Sequence, residues 1–217
     1  MTTAQDIRSR TIFPTLILEC TVPDADCINT ELKQAILKKR SQDAGIHRSN
    51  FNGWHSKDDI LQWGGDAMRT VAVAAIEMCN SYTHDNGMQG DDPRFSWSIQ
   101  AWANVSQPGA SNQYHAHPGA FWSAVYYVDD GGESGAGHLV LQDPRFPLNK
   151  MAVPDLTIRD SKGNLERTEI SVTPKPGRML AFPSWLTHGV RPHHGQAERI
   201  SIAMNLIATP IAKPANA

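Results

Sequence analysis

The chain has little cysteine. Cys20, Cys27 and Cys79 are odd in number and show no metal-ligand spacing. This argues against a disulfide framework or a thiolate metal site and fits buried thiols in a reducing cytosol, so a cytoplasmic location is expected. An excess of either charge is also lacking. The 20 Lys and Arg are set against 22 Asp and Glu, a net charge of −2, which leaves no basic field for nucleic acid or an anionic membrane surface. The longest apolar run, around Val71 to Ile76, is far too short to span a bilayer. Met1 to Asp6 shows no basic-then-apolar signal pattern. What remains, 40% hydrophobic and 19% charged over 217 residues, suits an ordinary globular core. One domain, residues 1–217, is expected.

Patterning divides that domain into blocks. Residues 1–90 read as one early strand and a helical layer. Leu16, Leu18, Cys20 and Val22 alternate through Thr15 to Val22, a strand signal. Ile28, Leu32, Ile36 and Leu37 follow helical spacing from Asp26 to Lys39, after Asp and Asn cap candidates. A second helix is predicted from Gly65 to Ser81, with Met68, Val71, Ala72, Ala75, Ile76 and Cys79 on one face. The segment Ser49 to Ser56 reads as a loop, and Asn86 to Pro93 is the clearest cluster of structure breakers.

Residues 93–208 read as about eight short strands. Turn signals separate them at Gln107-Pro108-Gly109, Asp129 to Gly132, Pro176-Gly177 and His194-Gly195. That spacing predicts a mainly β fold with N-terminal helices, a jelly-roll or barrel-like sandwich, followed by a tail at 209–217.

His115 and His117 carry the clearest chemistry. Residues i and i+2 of a strand share a face, so two imidazoles at this spacing converge on one ion. His188 lies in a later strand-like segment after an aromatic-rich approach, Phe182 to Thr187, and is able to provide a third ligand. Three imidazoles suit Zn, Fe, Cu or Ni and leave coordination positions open. Arg199 narrows the choice. In Glu198 to Leu206, Arg199, Ser201, Ala203 and Asn205 share one face, and Ile200, Ile202, Met204 and Leu206 the other. A guanidinium inside a β-barrel needs an anion, and its fork matches a carboxylate, while on an edge strand it would instead reach out to solvent. Asn104, Gln113, Tyr126 and Tyr127 are further candidate contacts, although strand aromatics also build cores. Trp54 and His55 read as a lid or as an anchor of the helical layer. His193-His194 reads as a solvated turn.

In this order, from Trp102 to Leu206, the pattern resembles the 2-oxoglutarate- and Fe(II)-dependent oxygenases. It looks most like a bacterial and phage branch with His-x-His-Pro, Tyr-Tyr-Val, Asp-Pro-Arg and Arg-x-Ser-Ile segments. Here these are His115 to Pro118, Tyr126 to Val128, Asp143 to Arg145 and Arg199 to Ile202. The resemblance implies a double-stranded β-helix core, iron held by His115, His117 and His188, and 2-oxoglutarate as cosubstrate. It places Arg199 and Ser201, with Tyr127 and Asn104 nearby, on the cosubstrate, and it implies a small-molecule or peptide substrate to be hydroxylated. One position departs from the pattern. The superfamily usually presents His-x-Asp or His-x-Glu, and here His117 stands where the carboxylate belongs. The site is then a three-histidine face, or is completed by a carboxylate from elsewhere, such as Asp143, which also reads as a turn residue, or uses only one of His115 and His117.

Three rival readings share parts of this pattern. A cupin-like three-histidine dioxygenase or isomerase would expect a Glu in Pro118 to Ser123, where there is none. A zinc hydratase or hydrolase has no use for Arg199 and no evident general base. A non-catalytic β-sandwich metal-binding module is the reading outside enzymology.

Overall fold

A computed structural model describes residues 8–87, 93–132 and 137–211. The elements run in the order β1 (Leu18–Thr21), α1 (Ala25–Gln42), β2 (Asn50–His55), α2 (Ile60–Trp63), α3 (Gly65–Asn80) and β3 (Phe95–His115). They continue with β4 (Trp122–Asp130), β5 (Leu139–Gln142), β6 (Glu169–Val172), β7 (Arg178–Pro183), β8 (His188–Val190) and β9 (Arg199–Pro210). The strands form one antiparallel sheet in the order β1-β7-β4-β9-β3-β8-β5-β6, with β2 on β3. This curled sheet, with helices ahead of it, is the double-stranded β-helix arrangement.

The curl comes from β3. Its first half, Phe95 to Ser106, pairs with β9, whereas Asn112 and His115 pair with β8. Between the halves the register with β2 slips: Gly53 faces Ser106, but Phe51 faces Ser111. Gln107-Pro108-Gly109, predicted as a turn between two strands, is instead an irregularity inside one. Pro108 has no N–H for a ladder, and Gly109 sits at φ 85, a conformation glycine adopts without strain. The predicted loop Ser49 to Ser56 is likewise strand β2. Its turn-forming residues lie opposite that irregularity, and Asn52 itself has φ 55.

Two apolar layers sandwich the sheet. Ile28, Leu32 and Ile36 of α1 and Met68, Val71 and Ala75 of α3 pack on Tyr126, Met179, Ile202 and Met204. Burial of each large aliphatic side chain here contributes roughly 1.5–3 kcal/mol. A smaller cluster, Tyr127, Leu139, Leu141, Leu180, Phe182 and Leu186, fills the opposite side. Both predicted helical faces are thus the buried ones, apart from Leu37 and Ile76, which only border the core. Asp24 precedes α1 at φ 53 without a side-chain capping bond, so the expected carboxylate cap is not formed. The predicted tail begins later than expected, because Thr209 and Pro210 still pair with Ser96 and Phe95. The residues after 211, and part of the breaker cluster at 88–92, lie outside the described residues. Among the described residues no helix is long and apolar enough to cross a membrane.

Candidate metal centre

β3 ends and β8 begins at the same place. His115 and His188 are directly opposed in the antiparallel register, and the chain leaving β3 brings His117 back across them, its N–H donating to the Ser184 carbonyl at 2.9 Å. One nitrogen from each of the three rings lies within 4.8 Å of the others. The ring centroids of His115 and His188 are 4.4 Å apart, with His117 at 4.9 and 5.1 Å from the two. Asp143 does not join them: its carboxylate accepts from the Arg145 guanidinium at 2.6 Å and lines a separate groove.

Two of the rings are oriented from behind. His115 Nδ1 lies 2.7 Å from the Gln113 carbonyl, and His188 Nδ1 lies 2.8 Å from that of Leu186. A carbonyl only accepts, so each Nδ1 carries the proton and each Nε2 is left as a lone-pair donor. His117 is held instead by contact, its ring 5.6 Å from Trp102. Burial holds the His117 and His188 imidazoles neutral, as ligands must be. It lowers His188 to about 3, reinforced by His115 and His117, against the bond to Leu186. It lowers His117 to about 4, reinforced by His115 and Arg48. Three imidazoles with open positions beyond them fit Fe(II).

The rings face a cavity of about 270 Å³ whose far wall is β9. Arg199, Ser201, Ala203 and Asn205 line it as the alternation predicted, while Ile200, Ile202, Met204 and Leu206 enter the helix-side core, Met204 also bordering the cavity. Arg199 opens β9 opposite Ser106 on one side and Asp130 on the other. It is 2% exposed, yet it makes no ion pair among the described residues. Its Nη1 donates to Ser201 Oγ at 3.3 Å, its Cζ stands 5.3 Å from the Tyr127 ring centroid, and its Nε has no partner among the described residues. Burial pulls the guanidinium below its ordinary pKa, and the same burial raises Tyr127. A buried cation without a counterion is costly, and one carboxylate entering the cavity would relieve it.

The other sequence candidates divide. Asn104 lies on the cavity wall, across from Ser201. Tyr127 is fully buried behind Arg199 and bears on the cavity only through it. Gln113 is exposed at the rim, and Tyr126 points into the helical layer, its hydroxyl donating to Asn29 at 2.7 Å. Trp54 also anchors that layer, Nε1 to the Asp43 carbonyl at 2.9 Å, while His55 is on the cavity wall, stacked on Trp102 at 5.4 Å. Trp102 was missed, although it shares a strand face with Asn104. Ser123, bonded to Asn205 at 3.2 Å, was missed too. His193 corrects its prediction outright: only His194 is solvated, and His193 is completely buried.

Residues 100–205 match a family described as "Putative 2OG-Fe(II) oxygenase". Solved structures share the fold at low identity. A prolyl-4-hydroxylase from Pseudomonas putida is 16% identical, with TM-score 0.60 over 89% of this chain and 92% of its own. A prolyl hydroxylase from Trichoplax adhaerens, in complex with a hypoxia inducible factor peptide fragment, is 15% identical, with TM-score 0.60 over 88% and 83%. HygX from Streptomyces hygroscopicus, with nickel and 2-oxoglutarate bound, is 12% identical, with TM-score 0.56 over 88% and 82%. No curated protein sequence matches the chain.

Proposed function

We propose, for a chain whose strand core at residues 100–205 belongs to the 2OG-Fe(II) oxygenase family, that it hydroxylates a small-molecule or peptide substrate using Fe(II) and 2-oxoglutarate. The observation that carries this reading is the pairing, across one cavity, of three converging imidazoles with a buried guanidinium that has no anion among the described residues. A hydrolytic zinc site has no need of that guanidinium.

His115, His117 and His188 hold the metal in this reading, and the departure at His117 makes the face all-imidazole. The carbonyls of Gln113 and Leu186 fix two of the rings so that no rotation is needed on binding. Arg199 takes the far carboxylate of 2-oxoglutarate through its Nη fork, and Ser201 Oγ, already bonded to Nη1, completes the cradle. Tyr127 backs the guanidinium with its ring face, and Asn104 stands beside Ser201 as a further polar contact. The aromatic wall of Trp102, Phe182 and His55 limits water around the imidazoles. When bound, iron and 2-oxoglutarate supply the oxidising chemistry that turns a substrate C–H bond into C–OH, consuming oxygen and releasing succinate and carbon dioxide. The protein's part is position, a shaped cavity and open coordination sites.

The test is to incubate purified protein with Fe(II), 2-oxoglutarate and oxygen and to follow succinate. Substrate-free turnover or saturable 2-oxoglutarate binding, lost in Arg199→Ala, is expected. Absence of both in the wild type, with Arg199→Ala indistinguishable from it, would overturn the reading.

A further inference from the structure

His193 is completely buried, and no role described so far uses it. Its backbone is pinned on both sides: the N–H donates to Ala110 at 2.8 Å, and the carbonyl accepts from Gly109 at 2.7 Å. Its Nε2 lies 2.6 Å from the Ala197 carbonyl. Since a carbonyl only accepts, Nε2 carries the proton, and Nδ1 of the neutral ring is a bare acceptor. That Nδ1 is buried without a partner among the described residues.

The ring occupies a niche that glycines make possible. A Cβ built on Gly131 would come within 2.6 Å of His193 Cε1, and one on Gly195 within 2.7 Å. Gly137 is the third side of the niche, and it is also where Arg199 passes. A Cβ there would stand 2.7 Å from Arg199 Cδ, 3.2 Å from Arg199 Nε and 3.5 Å from His193 Nδ1. A donor, the Arg199 Nε–H, and an acceptor, His193 Nδ1, each without a partner among the described residues, therefore border the same small space. Buried polar groups of opposite kind in one space are normally joined, directly or by an ordered water.

We propose that His193 is a positioning residue for Arg199. Its Nδ1 takes the Arg199 Nε–H through one bridging water, which accepts from Nε and donates to Nδ1. This fixes the plane of the guanidinium, so that the Nη fork faces the cavity while Ser201 holds one arm. No proton changes hands. The inference rests on the reading of Arg199 as the cosubstrate anchor for its functional consequence, but the His193–Arg199 link itself does not.

The isosteres of histidine separate this role from a merely structural one. Asn at 193 places its amide near the ring Nδ1 position, whereas Gln places it near Nε2 and keeps only the tie to Ala197. In Ni(II)-loaded protein, calorimetric titration with 2-oxoglutarate should give His193→Asn within about threefold of wild type. His193→Gln and His193→Phe should bind about tenfold more weakly, the scale of one hydrogen bond to a charged group. Ni(II) affinity should not move in any of the three. Independently of cosubstrate, the Arg199 Nε–H proton, assigned by its loss in Arg199→Lys, should give a slowly exchanging NMR signal in wild type and His193→Asn. It should exchange fast in His193→Gln. Identical Nε–H exchange in wild type, Asn and Gln proteins overturns the proposal, as does a Gln variant that binds 2-oxoglutarate like wild type. If wild type binds no 2-oxoglutarate while the exchange pattern holds, the positioning stands and the function assigned to Arg199 falls. The Asn-against-Gln comparison keeps the test decisive even if His193→Phe fails to fold.

Discussion

His115 and His188 are a cross-strand pair, the last residue of β3 against the first of β8, with ring centroids 4.4 Å apart. In an antiparallel ladder such opposed residues have side chains on the same face of the sheet. Two imidazoles are thereby aligned by backbone hydrogen bonding alone, and their Nδ1 atoms are tied to carbonyls two residues back. The site is thus built before any metal arrives.

Removal of either member of this pair should abolish tight metal binding. Outer-shell partners of metal-ligating histidines are worth about 10–100-fold in affinity, and a direct ligand more. His188→Ala and His115→Ala are each expected to weaken Co(II) binding by more than about 100-fold, read from visible absorption. His117→Asp supplies a carboxylate in the same place, and it should bind metal at least as tightly as wild type. Wild-type affinity in His188→Ala would remove the site from contention.

The buried imidazoles give the metal-free protein a distinctive acid sensitivity. Their folded-state pKa values, about 3 for His188 and about 4 for His117, lie below the ordinary 6.5. His55 is shifted the same way by burial. Below pH 6.5 the unfolded chain takes up protons that the folded chain refuses, so stability falls as pH drops from about 6.5 toward 4. Each such group contributes a slope of at most about 1.4 kcal/mol per pH unit. Carboxylates held low by arginines, such as Asp85 at about 2, titrate below this window. Urea midpoints of metal-free protein at pH 7, 6 and 5 should decline, with His188→Asn flattening the decline by one group's share. A pH-independent midpoint over that range would contradict the burial assigned to these rings.

How much of this could be read from residues alone depends on the range of the interaction involved. The two faces of β9 were legible because alternation is local: Ile200, Ile202, Met204 and Leu206 had only one way to be buried together. His115 and His188 were legible because one closes an alternating strand and the other follows an aromatic approach. His117, by contrast, lies beyond the end of β3 and reaches them through the chain leaving that strand rather than by sharing a strand face. β2 was not legible, since Asn52 and Gly53 carry turn chemistry, and only the irregularity in β3 lets them lie in a ladder. His193 was illegible for a similar reason. Its burial depends on Gly131, Gly137 and Gly195 meeting in space, and two of those three are far from it in sequence.

Gly131→Ala tests that niche without reference to function. Gly131 has φ +81, and a Cβ there would strike His193 Cε1 at 2.6 Å and the Ala197 carbonyl at 3.0 Å. Strained backbone of this kind costs about 1–3 kcal/mol, before any displacement of the imidazole. A fall in chemical-denaturation stability of at least about that size is expected. A neutral substitution would mean the ring is free to move aside.

Arg199 should reveal itself by opposite effects on stability and binding. In the unliganded protein its charge is buried beside Tyr127 and, among the described residues, has one weak bond, to Ser201 at 3.3 Å, and no carboxylate. Replacement of buried charges by well-packed apolar residues is often neutral, or stabilising by about 1–4 kcal/mol. Arg199→Met should therefore melt at or above the wild-type temperature without ligand. Saturating 2-oxoglutarate, at about 100 times its Kd, should add about 2.7 kcal/mol to wild type and nothing to Arg199→Met. Lysine is no substitute, because a point charge lacks the planar fork that meets a carboxylate with two bonds. Arg199→Lys should accordingly recover only part of the ligand-induced shift. A large loss of unliganded stability in Arg199→Met would show that the guanidinium is satisfied within the fold, and the case for an anion in this cavity would then rest on nothing.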